Sequence, residues 1–206
     1  RSPSRGLGDV YKRQGLNTIV IGYYLLILIF ISNFYNLNNN YLFNSDFIIN
    51  FSIILISILI LNAMNLLYLG DNGAYLLSFF IGILLIDLSK NVVNMSPYYI
   101  VNLLWYPAYE NLFSIIRKLK NKKSPLKPDN SHLHQLIYLF IKKNIHLTPK
   151  VTNTLTGLII NLFNFFVIMI ATKHYLNTIT QVEILFISVT IYNSIFFILK
   201  KNYNNG

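Results

Sequence analysis

The sequence contains no cysteine, and only 12% of its 206 residues are charged. Without cysteine, the chain can form neither a disulfide nor a thiolate metal site. Soluble domains carry about 25% charged residues, so this low fraction argues against a soluble class. Acidic residues are especially few, with 7 Asp and Glu against 17 Lys and Arg. Few carboxylates are therefore available for catalysis or metal binding.

Hydrophobic residues make up 54% of the chain, and its mean hydropathy is +0.48. Several runs reach about 20 apolar residues, the length needed to cross a bilayer core. Open sheet edges cannot sit in lipid. The sequence therefore predicts an all-α polytopic membrane bundle of about six transmembrane helices plus one interfacial helix. The predicted spans are residues 18–35, 47–67, 73–88, 98–116, 151–172 and 181–199, and the interfacial helix is 131–143 with Ser131 as its N-cap.

The first fourteen residues differ in composition from the rest of the chain. They hold three of its four arginines, and from Leu16 onward Asn, Ile, Leu, Phe and Tyr dominate. We interpret residues 1–14 as a non-native leader and exclude them from fold reasoning. The alternative is a genuine basic cytoplasmic tail.

The formal net charge of +10 is better explained by membrane topology than by nucleic acid binding, because lysines collect in cytoplasmic loops. Six spans give two sets of alternating loops. Residues 68–72, 117–150 and the C-terminal tail hold eleven Lys and Arg, whereas the other set holds only Lys90 and Lys173. This bias predicts that Asp71, His132 and His134 all face the cytoplasm, and it predicts no nucleic acid partner.

Asp71 lies in the segment Gly70-Asp71-Asn72-Gly73, between two apolar runs. Glycine lets the backbone turn tightly and lets a ligand approach it. The amides at the start of the following span, predicted near Gly73, favour phosphate. A carboxylate beside an anion site suggests a bridging Mg²⁺, which uses one or two carboxylates plus substrate phosphates. The alternative is a plain turn with a helix-capping Asp.

His132 and His134 follow Pro128 and a lysine cluster. Side chains two positions apart on a helix point about 200° away from each other. Both imidazoles can therefore address one ligand only if the segment is extended, which Pro128 favours. Imidazoles could then bind diphosphate oxygens or transfer protons. The alternative is a pair of surface histidines on a basic loop.

Glu110 lies inside an apolar span, after Pro107. A carboxylate within a membrane span is a functional candidate by default. Arg117 falls on roughly the same helix face two turns later. Glu110 can equally be a structural partner for Asn111 or for another helix.

These segments together resemble a known family, the polyprenyl-phosphate N-acetylhexosamine-1-phosphate transferases. This family includes the translocase that starts lipid-linked peptidoglycan synthesis and the enzymes that start O-antigen and enterobacterial common antigen. The resemblance covers about residues 47–150. It is carried by Leu69-Gly70-Asp71-Asn72-Gly73-Ala74, by Pro107-Ala108-Tyr109-Glu110 followed by Arg117, and by Pro128-Asp129-Asn130-Ser131-His132-Leu133-His134-Gln135.

The resemblance implies an enzyme of the bacterial plasma membrane, with a cytoplasmic active site, that transfers a sugar-1-phosphate from a UDP-sugar to polyprenyl phosphate. UMP leaves, and Mg²⁺ is the cofactor. It implies catalytic roles for Asp71, His132 and His134, with Asp71 as the metal ligand, and it allows a homodimer. The substrate-binding residues it implies are Gly70, Asn72, Gly73, Glu110, Arg117 and Asp129.

The sequence also departs from the family pattern. Ala74 replaces the usual Ser, Gln135 replaces the last His, and nothing upstream matches the family's paired aspartates. We therefore expect residues 15–206 to be the C-terminal part of a membrane transferase domain, inactive by itself. The alternative is a non-catalytic membrane subunit, a transporter fragment or a degenerate homologue.

Overall fold

A computed structural model describes residues 7–35, 41–64, 66–120, 122, 131–145 and 147–204. These residues form helices, and no strand occurs among them. The helices are α1 (Leu7–Tyr35), α2 (Ser45–Ala63), α3 (Gly70–Asn91), α4 (Pro97–Lys120), α5 (Leu133–Asn144), α6 (Pro149–Lys173) and α7 (Thr178–Asn204). The predicted all-α membrane bundle is confirmed.

Five of these helices, α1, α2, α3, α6 and α7, are long and apolar enough to cross a membrane. The sixth predicted span corresponds to α4, which is less apolar because it carries Asn102, Glu110 and a basic last turn. Contacts show where α4 lies: Asn102 bonds Gln181, and Arg117 lies over the Phe196 ring. The two helices thus run parallel for about 22 Å at 1.5 Å per residue, so α4 crosses the same thickness as α7.

Most helix boundaries differ from the sequence prediction, most of all the start of α1 at Leu7, and three of the differences bear on the candidate site. Helix α2 ends at Ala63 and not at residue 67, because the amide of buried Asn62 bonds the Leu67 carbonyl at 3.0 Å and folds the chain back. Helix α3 begins at Gly70, so Asp71 lies in its first turn. The N-cap of α5 is His132 and not Ser131, since His132 is extended (φ −73°, ψ 153°) and the helix begins at Leu133.

Helix α6 lies at the centre of the bundle and packs closely against α1. Gly22 permits this approach, because a Cβ there would meet the Asn161 amide nitrogen at 2.1 Å. The same amide donates to the Thr18 carbonyl at 3.1 Å, and Thr18 in turn donates to Asn62 at 3.0 Å. These bonds join α1, α2 and α6 at the same height in the bundle. They also give these polar groups the partners within the protein that they need inside a membrane.

The bundle has two distinct ends. At one end, which we name the basic end, lie Arg117, the last turns of α5 and α7, and the turn between α2 and α3. At the opposite end the Asp87 carboxylate accepts from the Leu42 amide at 3.0 Å, and the Ser96 amide donates to the Tyr175 carbonyl at 2.9 Å. Asp71, His132 and His134 therefore all lie at the basic end.

Candidate functional site

A cavity of about 400 Å³ opens at the basic end, between α1, α4 and the start of α5. Its walls have two characters. One part is apolar and aromatic, and it is formed by Ile19, Val20, Tyr23, Tyr24, Tyr106 and Pro107. The other part is polar, and it is formed by Glu110, Asn111, His132, His134 and Gln135. Such a cavity suits a ligand with both an apolar and a polar portion.

The Glu110 carboxylate is the centre of the polar wall. Its side chain is only 11% exposed. Oε1 accepts from the Leu133 amide at 3.0 Å and contacts His132 Nδ1 at 2.9 Å. Oε2 accepts from the Tyr192 hydroxyl at 2.6 Å. A carboxylate held by three groups at the start of a helix is favourably placed, because it satisfies an amide that the helix leaves unpaired.

These bonds decide which nitrogen of His132 carries a proton. An ionised carboxylate only accepts hydrogen bonds, so Nδ1 is the donor to Glu110. In the neutral imidazole, Nε2 then has a lone pair. A second bond fixes the backbone, because the His132 amide donates to the Gln135 side-chain oxygen at 3.1 Å. Glu110 is therefore a positioning residue for His132, and Gln135 supports the same turn.

His134 lies in the first turn of α5, directly beside His132. The two rings are stacked, with centroids 5.5 Å apart and planes 19° apart. Burial is the main cause that lowers the pKa of His134 to about 4, and it outweighs the opposing charge of Glu110. His134 is therefore neutral at physiological pH. The two histidines share one cavity because His132 precedes the helix and only His134 is helical.

Arg117 holds the segment that precedes α5. Its guanidinium donates to the Ser131 carbonyl and lies 5.1 Å from the Phe196 ring centroid and 5.8 Å from that of Phe113. Cation–π contacts of this kind stabilise by about 0.5–2 kcal/mol. Asp129, the remaining predicted substrate ligand of this segment, lies outside the described residues.

Asp71 is exposed and does not line the cavity. It lies seven residues before Ser78, on the same face of α3 and about 10 Å along the axis. The Ser78 hydroxyl bonds the Tyr24 hydroxyl at 2.6 Å, and Tyr24 lines the cavity. Asp71 therefore lies beyond the α1 wall of the cavity, toward the basic end. Asn72 beside it is also exposed.

The residues around Asp71 have distinct backbone roles. Gly70 has φ +67°, a left-handed conformation that favours glycine. A Cβ on Gly73 would lie 2.7 Å from the Leu69 side chain. Both glycines therefore shape the start of α3. Their predicted contact with substrate stays a prediction.

The described residues do not by themselves build a Mg²⁺ site. No group of three or more His, Cys, Asp or Glu among them could hold a metal ion. Asp71 is the one carboxylate that they place at the start of α3, and the Glu110 oxygens already hold His132, Leu133 and Tyr192. The magnesium prediction stays a prediction.

Two important residues were missed by the sequence reasoning. Tyr192 holds Glu110 from α7, and Asn62 closes the turn that leads to Asp71. Asn62 carries a usable signal, because it is a polar residue inside an apolar span. Tyr192 has none, since tyrosine is abundant in this chain and no motif surrounds it.

Comparison with known proteins gives one informative similarity. No protein-family profile and no solved structure matches the chain. Over 75 residues the chain is 35% identical to a protein of Bacillus subtilis (strain 168) named "Probable undecaprenyl-phosphate N-acetylglucosaminyl 1-phosphate transferase". The match covers 36% of this chain and 21% of that relative. The chain is thus similar to a transferase, and its helices are those of a multi-pass membrane protein.

Proposed function

We propose that this chain is part of an integral membrane enzyme that transfers N-acetylglucosamine-1-phosphate from a UDP-sugar to polyprenyl phosphate. The observation that carries the proposal is the Glu110-oriented His132, stacked on His134 in a cavity with an apolar aromatic wall. The similarity to the Bacillus subtilis relative supports the same reaction class. The lysine bias supports a cytoplasmic placement of the basic end.

The reaction forms one phosphorus–oxygen bond and breaks another. A phosphate oxygen of polyprenyl phosphate attacks the phosphorus that carries the sugar, and the bond from that phosphorus to UMP breaks. The products are polyprenyl-diphosphate-sugar and UMP. Phosphoryl transfer depends mainly on positioning and on stabilising charge, so the chain needs groups that hold both phosphates in line.

The histidines have complementary roles in this proposal. His132 Nε2, with its lone pair, takes the proton of the attacking phosphate monoester. His134, neutral because desolvation lowers its pKa to about 4, can donate a hydrogen bond to a diphosphate oxygen without adding charge to the cavity. Glu110 stabilises the imidazolium that forms on His132, as a carboxylate behind a general base does.

The apolar wall of the cavity suits the lipid substrate. Tyr23, Tyr24 and Pro107 line it. The first isoprene units of a polyprenyl phosphate can lie against these rings while its phosphate reaches the histidines. Lysines around the basic end raise the local concentration of an anionic nucleotide sugar.

The test is UMP release from UDP-N-acetylglucosamine with polyprenyl phosphate and Mg²⁺. We expect purified Arg1–Gly206 to release none, and co-expression with the N-terminal half that the family resemblance implies to give turnover. In that active preparation Asp71→Asn should lower the rate by about 10²–10³-fold, which is typical for loss of one electrostatic contact at a reacting centre.

Asp46→Asn is the matched control, because Asp46 is an exposed first-turn carboxylate at the opposite end of the bundle. It should leave turnover unchanged. Asp71-dependent UMP release by the isolated chain would contradict the expectation that it is incomplete. Turnover that is insensitive to Asp71→Asn would show that Asp71 only begins a helix.

A further inference from the structure

A second concave surface lies outside the candidate site, between α5 and the end of α7. We name it the α5–α7 groove. Its volume is about 260 Å³, and it is lined by Leu136, Leu139, Phe140, Lys143, Asn144, Leu199 and Asn202. It shares no residue with the cavity that holds the histidines.

The groove lies at the level where the bundle meets the membrane–water interface. Helix α5 is 12 residues long, which is too short to cross a bilayer, and its apolar face packs on the bundle through Leu133, Leu136 and Ile141. The groove lies where α7, a candidate span, reaches its last turns. Phe140 in the groove stays 47% exposed, so an apolar surface continues from the bundle to the groove.

The charge at the groove is positive, and none of the described residues that line the groove is acidic. Lys142, Lys143, Lys200 and Lys201 lie in the last turns of α5 and α7. Glu183 is the only acidic residue between positions 131 and 206, and it lies about 24 Å from Leu199 along α7 at 1.5 Å per residue.

Lys143 is the donor best placed for a ligand in the groove. The Asn144 amide is already used, since it donates to the Phe140 carbonyl at 2.8 Å, and Lys200 lies over the Phe196 ring at 5.8 Å. Lys143 lines the groove, is exposed, and has no acidic partner among the residues that the structure describes.

We propose that the α5–α7 groove binds the headgroup of an anionic phospholipid, with the phosphate at Lys143 and the upper acyl chain on Leu139, Phe140 and Leu199. The apolar floor and the cationic rim match a molecule that carries an acyl chain beside a negative phosphate. A free phosphate would use only the rim. Basic residues beside a membrane span attract anionic lipid, and here one lysine meets an apolar floor that can hold the chain.

The test is native mass spectrometry of the purified full chain, Arg1–Gly206, titrated with phosphatidylglycerol or with phosphatidylcholine of the same acyl chains. We expect the wild-type chain to retain phosphatidylglycerol preferentially. Lys143→Gln should lower that retention about fivefold, the factor that corresponds to about 1 kcal/mol per lysine at a membrane surface. Lys143→Arg should restore it.

Lys142→Gln is the matched control, because it removes the same charge from the adjacent position, about 100° around the helix and outside the groove. It should have less than half the effect of Lys143→Gln. Equal effects of the two variants would overturn the proposal in favour of a diffuse surface charge. So would equal retention of the two lipids, or displacement of the lipid by inorganic phosphate at millimolar concentration.

Discussion

Glu110 is the residue on which the candidate site is built. Its carboxylate joins α4, the start of α5 and α7 through His132, Leu133 and Tyr192. Removing one partner of a buried carboxylate leaves the charge less well satisfied, so each bond costs more to lose than an ordinary hydrogen bond. The orientation of His132 therefore depends on groups that never touch a ligand.

Tyr192→Phe tests this dependence. The variant keeps the ring and removes the 2.6 Å bond to Glu110. Because hydrogen bonds to charged groups contribute about 1.5–3 kcal/mol, we expect the free energy of unfolding of the purified chain to fall by about that amount in a denaturant titration. Tyr98→Phe is the control, because Tyr98 is 42% exposed. A loss no larger than that of Tyr98→Phe would show that the bond to Glu110 stabilises nothing.

His134 makes stability depend on pH in a defined window. Its pKa of about 4 in the folded chain lies below the value of about 6.5 expected when it is unfolded. Between these values the unfolded chain binds more protons, so stability falls as the pH drops from about 6.5 to 4. His134→Gln should flatten the fall of the melting temperature in this window, whereas His174→Gln, exposed at the opposite end, should leave it unchanged. Parallel profiles for the wild type and His134→Gln would contradict this assignment.

At the scale of elements, the start of α3 depends on one backbone conformation. Gly70 has φ +67° while an added Cβ would meet no atom within 4 Å. The requirement for glycine is therefore conformational and not steric. Gly82 lies within the same helix and also has open space around it, but it has no such dihedral.

This contrast gives a paired prediction. Gly70→Ala should lower the free energy of unfolding by about 1 kcal/mol, since a left-handed conformation disfavours residues with a Cβ. Gly82→Ala should raise it by about 0.5–1 kcal/mol, because alanine loses less entropy in a helix. Chemical denaturation of both variants in one detergent measures the difference. The same sign for both would mean that the turn before α3 tolerates other conformations.

The elements themselves were predictable because apolar runs of bilayer length leave few alternatives. Their ends were not. Helix α3 begins at Gly70 and not near Gly73, and α5 begins one residue after a histidine that a carboxylate from another helix caps. Tertiary contacts decide such boundaries, and sequence periodicity does not report them. For helix α4 the sequence prediction of a membrane span agrees with the packing of the helix against α7, although its hydropathy is too low for a candidate span on composition alone.

At the scale of the whole molecule, the parallel course of α4 and α7 fixes which loops share an end. Val93, between α3 and α4, is 79% exposed at one end, and Lys120 is exposed at the basic end. The lysine bias predicts that the basic end is cytoplasmic. Because the chain has no cysteine, Val93→Cys and Lys120→Cys each introduce a single thiol.

In intact cells an impermeant thiol reagent should label Val93→Cys and not Lys120→Cys. After the cells are opened, both should react. Labelling of Lys120→Cys from outside would reverse the orientation and would place the candidate site away from cytoplasmic nucleotide sugars.

The sequence motifs identified Glu110 and His132 of the candidate site but not their partner Tyr192. The segments around Glu110 and His132 stand out in the sequence because their residue types are unusual in a membrane span or beside one. The structure brings these two residues together across 22 positions. The remaining partner, Tyr192, lies 82 positions from Glu110, in a helix whose sequence is that of any apolar span. Only packing reveals it.

That separation has a consequence for biosynthesis. At about 5–20 residues per second, a ribosome finishes Tyr192 roughly 4–16 s after Glu110. During this interval the carboxylate has entered or approached the membrane while the last of its three partners is still unmade. A nascent chain that stalls before α7 would carry both motif segments and a Glu110 carboxylate that lacks one of its three partners. Completion of α7 thus supplies the last hydrogen-bond partner of Glu110.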